Sequence, residues 1–419
     1  MLKINHSPSR EVKDVFYLIA LQGVNYIAPL LVLPYLMVVL GAEKFGYIGF
    51  SLAVTQYLML IVDFGFNLSA TKRIALAKDN QAELNSIFTA TLYAKITLLM
   101  LSFLVLLVVA SIPRFEIYRT VMFVMFLVVV GNAFTFVWLF QGLGQIRFIA
   151  IFNVIAKLSI LPLTFIFVKN AGDYLTAAFL QSSVYLFAML ISVGYVIKKR
   201  WVSIGTFIRK NMLYEIKESY PIFLSIAAIS VYTVSFVVAL GYFSTSEAVG
   251  QYSAADRIMR AFCYLIFASI AQVFYPKIVS LGAENKAEAL VLVKKIFIFV
   301  VGAMLAVFFA MFFLSPYAVS FLGKDYQDAL PVFKIMAFVP VFVGMGGVVA
   351  QLGILALGND RDKKNYQRVY LIAGSVALIC VFIGIPIFGV TGAAASLLIT
   401  EVVVCGLMFW FGRRIIKWK

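Results

Sequence analysis

"KKRWVSIGTFIRKNMLYEIK", Lys198 to Lys217, packs six Lys or Arg side chains into a chain that is otherwise overwhelmingly apolar. Of the 419 residues, 63% are hydrophobic and 13% charged, and the mean hydropathy is +0.99. A water-soluble globule cannot hide that much apolar surface, so the sequence reads as an integral membrane protein. Crossing about 30 Å of hydrocarbon takes roughly 20 apolar residues per helix. On the N-terminal side of the basic stretch, apolar blocks of that length predict spans near 14–40, 45–70, 84–111, 117–140, 147–168 and 173–197. On the C-terminal side they predict spans near 217–243, 248–276, 290–314, 328–357, 365–388 and 391–412. The basic stretch therefore divides twelve spans into six and six. The apolar runs are continuous rather than alternating, which excludes a β-barrel.

Charge placement tests that count. With this register, 25 Lys and Arg residues fall in segments on the N-terminal side of the membrane, among them Lys72, Arg73, Lys198, Lys277, Arg361 and Arg413. Only Lys44, Arg114, Arg119, Lys169 and Lys324 fall on the other side. Cytoplasmic loops are enriched in Lys and Arg, so both termini are expected in the cytoplasm. The formal net charge of +16 is then mostly topology. Because the cations are spread over separate short segments, no nucleic-acid-binding face is expected. The first apolar run is far longer than a signal-peptide core and reads as a retained span. Cys263, Cys380 and Cys405 have no disulfide or metal-site spacing and read as packing residues. The one histidine, His6, lies in the polar N-terminal tail, so neither imidazole catalysis nor a metal site is expected in the membrane.

The halves echo one another. "GAEKFGYIG" from Gly41 aligns with "TSEAVGQYS" from Thr245, matching Glu43 with Glu247 and Gly46 with Gly250, and the same offset matches Arg73 with Lys277. "LGQIR" ending at Arg147 pairs with "LGNDR" ending at Arg361. Both halves start on the cytoplasmic side, which makes them parallel repeats about an axis along the membrane normal. The expected architecture is all-α: two six-helix lobes, 1–200 and 217–419, joined by a cytoplasmic linker at 201–216 and enclosing a central cavity. Transport by rocking of such lobes is the usual use.

Eight ionisable residues remain inside spans: Asp63, Lys95, Lys157, Asp256, Arg257, Arg260, Lys334 and Glu401. Each would cost several kcal/mol facing lipid, so they are expected to face the bundle interior or water. At 1.5 Å per residue, Lys95, Lys157, Arg260 and Glu401 lie roughly 15–20 Å from their nearer helix ends, close to the bilayer midplane. In "GQYSAADRIMRAFCYLIF", Gly250 to Phe267, Asp256 and Arg260 stand i, i+4 and can pair, while Arg257 and Arg260 share a face. That leaves one cation of the two without an in-helix partner. Five of the eight are basic, which biases the interior toward an anion, and arginine suits bidentate phosphate contact. Structural roles compete: Arg257 or Lys334 can snorkel to an interface, Asp63 and Glu401 can bond neighbouring helices, and Lys157 can pair with Glu401. Pro29 and Pro34 in the first span, and Pro331 and Pro340 in the tenth, favour kinks that suit a gate. "GMGG" at Gly344–Gly347 and "GAAAS" at Gly392–Ser396 allow close helix packing.

Several stretches carry a family resemblance. "VVLGAEKFGYIGFSLAVTQYLMLIVDFGFNLSATKRIA" resembles the first-to-second-span region of bacterial polysaccharide exporters, with LG-x-x-x-FG and a later D-x-G before a basic loop. "VWLFQGLGQIRFIAIFNVIAKL" is similar to their fourth-to-fifth-span junction, and "VGQYSAADRI…VFYPKI" extends the likeness into the second half. The order and spacing of these motifs resemble the Wzx-type O-antigen flippases, in the superfamily that also holds multidrug MATE exporters and lipid II flippases. The resemblance implies flipping of an undecaprenyl-diphosphate-linked oligosaccharide from the cytoplasmic to the periplasmic leaflet. It implies handing that unit to a polymerase, with a chain-length regulator as a further partner. The family's basic cavity residues map onto Arg257 and Arg260; Lys95 and Lys157 carry over by depth. No cofactor is implied beyond proton or sodium coupling, for which Asp63, Asp256 and Glu401 are the candidates. A MATE-type cation-coupled drug exporter is the main alternative, disfavoured because the first span has no acid beyond Asp14. A polymerase or ligase would need a large external site, and the external loops are short, with no paired carboxylates beyond the isolated Asp325 and Asp328.

Overall fold

The computed structural model describes the backbone of residues 8–416 and the side chains of residues 31–416. His6 and the side chains of Asp14 and Pro29 lie outside the described residues. Among the described residues there is no β-strand, and ten helical stretches are long and apolar enough to cross a membrane. They are α1 Leu31–Ala77, α2 Gln81–Ser111, α3 Pro113–Gly142, α4 Ile146–Phe167, α5 Ala171–Lys199, α6 Arg209–Phe243, α7 Ser246–Glu284, α8 Lys286–Leu322, α9 Lys324–Leu355 and α10 Asp360–Gly412. The chain is therefore a multi-pass membrane protein. Faces such as Ile298, Phe309, Phe313 and Phe321 on α8 stay exposed because they meet acyl chains rather than water.

Two of the ten are too long for one crossing. At 1.5 Å per residue, the 47 residues of α1 and the 53 of α10 would run roughly 70–80 Å, more than twice the hydrocarbon thickness. Each bends at a glycine with positive φ, Gly41 (φ 69°, ψ 172°) and Gly389 (φ 57°, ψ −131°), a backbone that L side chains rarely adopt. These glycines coincide with the breaks expected between 40 and 45 and between 388 and 391. The break in α1 lies at Gly41 and not at Pro34, where a kink was expected, because glycine adopts positive φ without the steric cost of a side chain. Pro331 and Pro340 sit in the first turns of the short helical pieces Leu330–Met336 and Val339–Gly347 within α9, where no intrahelical donor is lost.

The periodicity did not announce four further irregularities. In the first half, α1 breaks at Phe64 and Gly65 (φ 42° and 86°) and α3 breaks at Phe136 (φ 54°). In the second half, α7 and α9 each contain a π-helical stretch, Tyr264–Ala268 and Val348–Leu355. A left-handed phenylalanine costs of order 1–3 kcal/mol and persists only when packing over-determines it. Phe64 stacks on Phe223 at 4.4 Å, and Phe136 meets Phe88 and Trp138 edge-on.

Within the first half, α3 packs on α5, α4 on α5, and α1 on α2, α3 and α4; within the second, α6 packs on α10, α7 on α9, and α9 on α8 and α10. The halves meet chiefly where α1 touches α6 and α7 and where α2 touches α6. Polar contacts tie the helices together at both ends of the bundle. Arg114 donates to the carbonyls of Tyr242 and Ser244, and Gln251 donates to the carbonyl of Asp325, which marks the end poor in cations. At the other end Arg73 pairs with buried Glu215 and Ser69 bonds Ser219 at 2.6 Å.

The expected linker 201–216 is non-helical only over 201–208, because α6 already begins at Arg209. Its extended part is held along one face of α2. Gln81 Nε2 donates to the Trp201 carbonyl (3.0 Å), Asn85 Oδ1 accepts from Ser203 N–H (2.9 Å), and Thr89 Oγ1 accepts from Gly205 N–H (2.9 Å). The match is geometric: four helical residues rise about 6.0 Å, and two extended residues advance about 6.6 Å. Removing all three side chains together (Gln81→Ala, Asn85→Ala, Thr89→Ala) deletes hydrogen bonds of about 1 kcal/mol each. Limited trypsin digestion should then cut at Arg200 or Arg209 at least ~10-fold faster, with the transmembrane core intact.

Candidate anion-binding cavity

A cavity of about 500 Å³ opens where α1, α6 and α7 meet. On α7 it is lined by Ser253, Asp256, Arg257, Arg260 and Tyr264, on α6 by Thr233, and on α1 by Gly49 and Gln56. A second cavity of about 240 Å³ adjoins it, lined by Lys157 and Thr164 of α4, Gln181 and Tyr185 of α5, and again Arg257. Arg257 thus stands at the junction of both.

The two arginines differ in what they touch. Arg260 Nε donates to both carboxylate oxygens of Asp256 (2.9 and 2.8 Å), and its Nη2 reaches the Thr233 carbonyl at 3.3 Å. The i, i+4 pair read from the sequence forms, and it neutralises Arg260. Arg257 has no ion-pair partner among the described residues: its guanidinium lies 5.0 Å over the Phe45 ring, and its buried Nη2 has no hydrogen-bond partner. A buried donor of a charged group left unmade is costly, so its persistence asks for a ligand. Snorkelling does not describe Arg257, which lines both cavities.

The remaining interior charges separate. Lys95 lines neither cavity, is 2% exposed, and donates to Asp63 Oδ1 at 2.9 Å. Asn132 Nδ2 holds the other Asp63 oxygen at 2.9 Å. Midplane depth placed Lys95 among the substrate contacts; helix rotation turns it instead toward the carboxylate one residue before the α1 break. Lys157 does line the smaller cavity, whereas Glu401 lines a different one with Arg260 and Tyr370, so the structure does not bring Lys157 and Glu401 to one cavity. Lys334 is half-buried with its ammonium 5.6 Å over Phe312. Cys263 and Cys405 are buried, Cys380 is partly so, and all three are free. The neutral polar lining, Gln56, Gln181 and Thr233, escaped a reading that weighed charges alone; an amide inside an apolar span was the available signal.

Beyond the cavity, toward the cation-poor end, α1 and α7 touch backbone to backbone. A Cβ at Gly46 would overlap the Ser246 carbonyl oxygen, and one at Gly250 would overlap the Ala42 carbonyl oxygen. Ala42 and Ser246 are related by the same offset as Gly46 and Gly250, so the contact is reciprocal, as an isologous two-fold contact is. One turn further in, at the cavity wall, a Cβ at Gly49 would meet the Ser253 side-chain hydroxyl.

Helices meeting at a polar-lined central cavity define a membrane transporter fold. The fold is shared with an inward-facing multidrug resistance MATE family transporter of the MOP superfamily (TM-score 0.72, 15% identity, 94% of this chain and 98% of that one). It is shared equally with the lipid II flippase MurJ in an inward closed conformation (TM-score 0.73, 15% identity, 94% and 87%). The chain belongs to the family described as polysaccharide biosynthesis protein, which it matches over residues 12–282. It is 32% identical over 404 residues to a "Putative O-antigen transporter" of Escherichia coli K12, covering 96% of each chain. It is 31% identical over 398 residues to a protein so described in Shigella dysenteriae, covering 94% of this chain and 97% of the relative.

Proposed function

We propose that this protein is a flippase, not an enzyme, that carries undecaprenyl-diphosphate-linked O-antigen units from the cytoplasmic to the periplasmic leaflet of the bacterial inner membrane. The observation that carries this reading is the unpartnered, buried Nη2 of Arg257 at the junction of the two cavities. A guanidinium fork matches a diphosphate geometrically, and in a low-dielectric site that contact is strong. Lys157 lines the smaller cavity and adds a second cation, while Arg260 is held beside Asp256. A diphosphate-sugar head group cannot cross hydrocarbon unaided, whereas these groups replace its hydration while the polyprenyl tail stays in lipid. The names of the relatives and the fold of the flippase support the same reading.

In this reading α1 and α10 each cross twice about Gly41 and Gly389, making twelve spans with both termini cytoplasmic. The halves 1–200 and 217–419 act as lobes joined by 201–216, and alternating access opens and closes the glycine seam. The delivered unit passes to a polymerase under a chain-length regulator. For proton or sodium coupling Glu401 leads, because Asp63 and Asp256 are already held by Lys95 and Arg260. A drug exporter for cations fits less well, since the carboxylate of the central cavity is neutralised and its unpartnered charge is positive.

The test is reconstitution in proteoliposomes with undecaprenyl-diphosphate oligosaccharide, scoring its exposure to an external lectin. Arg257→Ala should slow flipping roughly 10-fold or more, as expected for a charge-assisted contact of about 1.5 kcal/mol, and Arg257→Lys should fall between. Equal rates for wild type and Arg257→Ala would discard the reading.

A further inference from the structure

The central cavity continues into the second half. Through Thr233, Arg260 and Tyr264 it adjoins a cavity of about 290 Å³ that also holds Tyr232, Tyr370 and Glu401. Through Ala268 and Gln351 that one adjoins a third, of about 420 Å³, lined by Gln272, Tyr275 and Tyr366. The chain of spaces runs between α7, α9 and α10 from the arginines toward the cation-rich end.

Two π-helical stretches, Tyr264–Ala268 of α7 and Val348–Leu355 of α9, contribute to its walls. A π turn widens a helix and shifts its side chains out of α register, and such turns concentrate at functional sites. Here they supply Tyr264, Ala268 and Gln351 to the walls. The opposite wall is an aromatic row: Tyr232 stacks on Tyr370 (5.8 Å, 18°), and Tyr366 meets Tyr370 edge-on at 4.9 Å. Amides, phenol hydroxyls, aromatic faces and one carboxylate, Glu401, with no cation beyond Arg260 among the described residues, are the chemistry that binds polyhydroxylated rings rather than phosphate. The volumes are about those of small-molecule sites and far exceed what a bare ion needs.

We propose that this side cavity receives sugars of the diphosphate-linked oligosaccharide, with Gln351 and Gln272 hydrogen-bonding their hydroxyls against the Tyr232–Tyr370–Tyr366 row. It rests on the flippase reading, since it requires the diphosphate at Arg257. Gln351 and Gln272 are then specificity-determining residues, reading the sugar and not the anion.

The full-length protein in detergent is titrated with two probes: undecaprenyl diphosphate, and undecaprenyl-diphosphate oligosaccharide extracted from the host cell. Gln351→Ala with Gln272→Ala should weaken the glycosylated probe about 10-fold, as for two lost hydrogen bonds, and leave undecaprenyl diphosphate unchanged. Gln272→Ala alone, at an exposed position that folding tolerates, should weaken it about 3-fold. Unchanged affinity for both probes, or equal loss for both, overturns the inference while the flippase reading stands. Arg257→Ala binding both probes at wild-type strength overturns that reading instead. Glutamine variants that bind normally, together with a Glu401→Gln variant whose flipping ignores the proton gradient, assign the space to cation passage and also overturn the inference.

Discussion

Gly250→Ala combined with Gly46→Ala is expected to shift the protein out of the conformation described here by about 100-fold. Each added methyl meets a main-chain carbonyl, Ala42 against Gly250 and Ser246 against Gly46, and backbone cannot swing aside as a long side chain would. Overpacking of this kind costs about 1–3 kcal/mol per site, and 1.4 kcal/mol is a factor of 10. Spin labels at Glu43, just after the Gly41 bend, and at Glu247, on the first turn of α7, both exposed, should report a more separated population in the double variant. Flipping should fall in parallel, because a seam that cannot close leaves the cavity unable to alternate. Gly194→Ala and Gly406→Ala are the controls, since a Cβ there meets nothing within 4 Å, and they should be neutral or mildly stabilising. An unaltered label distance and flipping rate in the double variant would show that the contact closes nothing.

Lys95→Met should lower stability by about 3–5 kcal/mol, the usual cost of stranding one member of a buried ion pair. Lys95 is 2% exposed and its partner Asp63 is 26% exposed, so the lower end of that range applies. Adding Asp63→Asn should recover most of the loss, because the amide can still meet Asn132 without an unpaired charge. Thermal unfolding of the purified protein checks both, with a drop of several degrees for the single variant and near recovery for the double. At matched amounts of folded protein, flipping by Lys95→Met should stay within about 2-fold of wild type, consistent with a residue that positions helices and does not touch the anion. A large loss of flipping without a loss of stability would return Lys95 to the cavity.

Much was legible in the residues alone. Apolar block length announced the helices, and the glycine breaks at Gly41 and Gly389 fell inside the expected turns, because span length depends on hydrocarbon thickness and not on neighbours. The Asp256–Arg260 pair was readable too, since i, i+4 geometry is local to one helix. Counting along each helix placed Lys95, Lys157, Arg260 and Glu401 alike near the expected midplane. What depth could not say is which way each helix is turned. Rotation about the helix axis depends on how neighbours pack, and a difference of one residue, about 100°, separates a cavity lining from an ion pair.

Composition and local spacing by themselves determined that this is a polytopic helical protein, and they placed two of its breaks, at Gly41 and Gly389. The three-dimensional packing alone decided that Asp63 takes Lys95 while Arg257 keeps a free donor, and that Gly46 meets Gly250 across the halves. The physical reason is range: transfer into lipid acts residue by residue along the chain, whereas partner choice among buried charges is fixed by contacts between helices far apart in sequence.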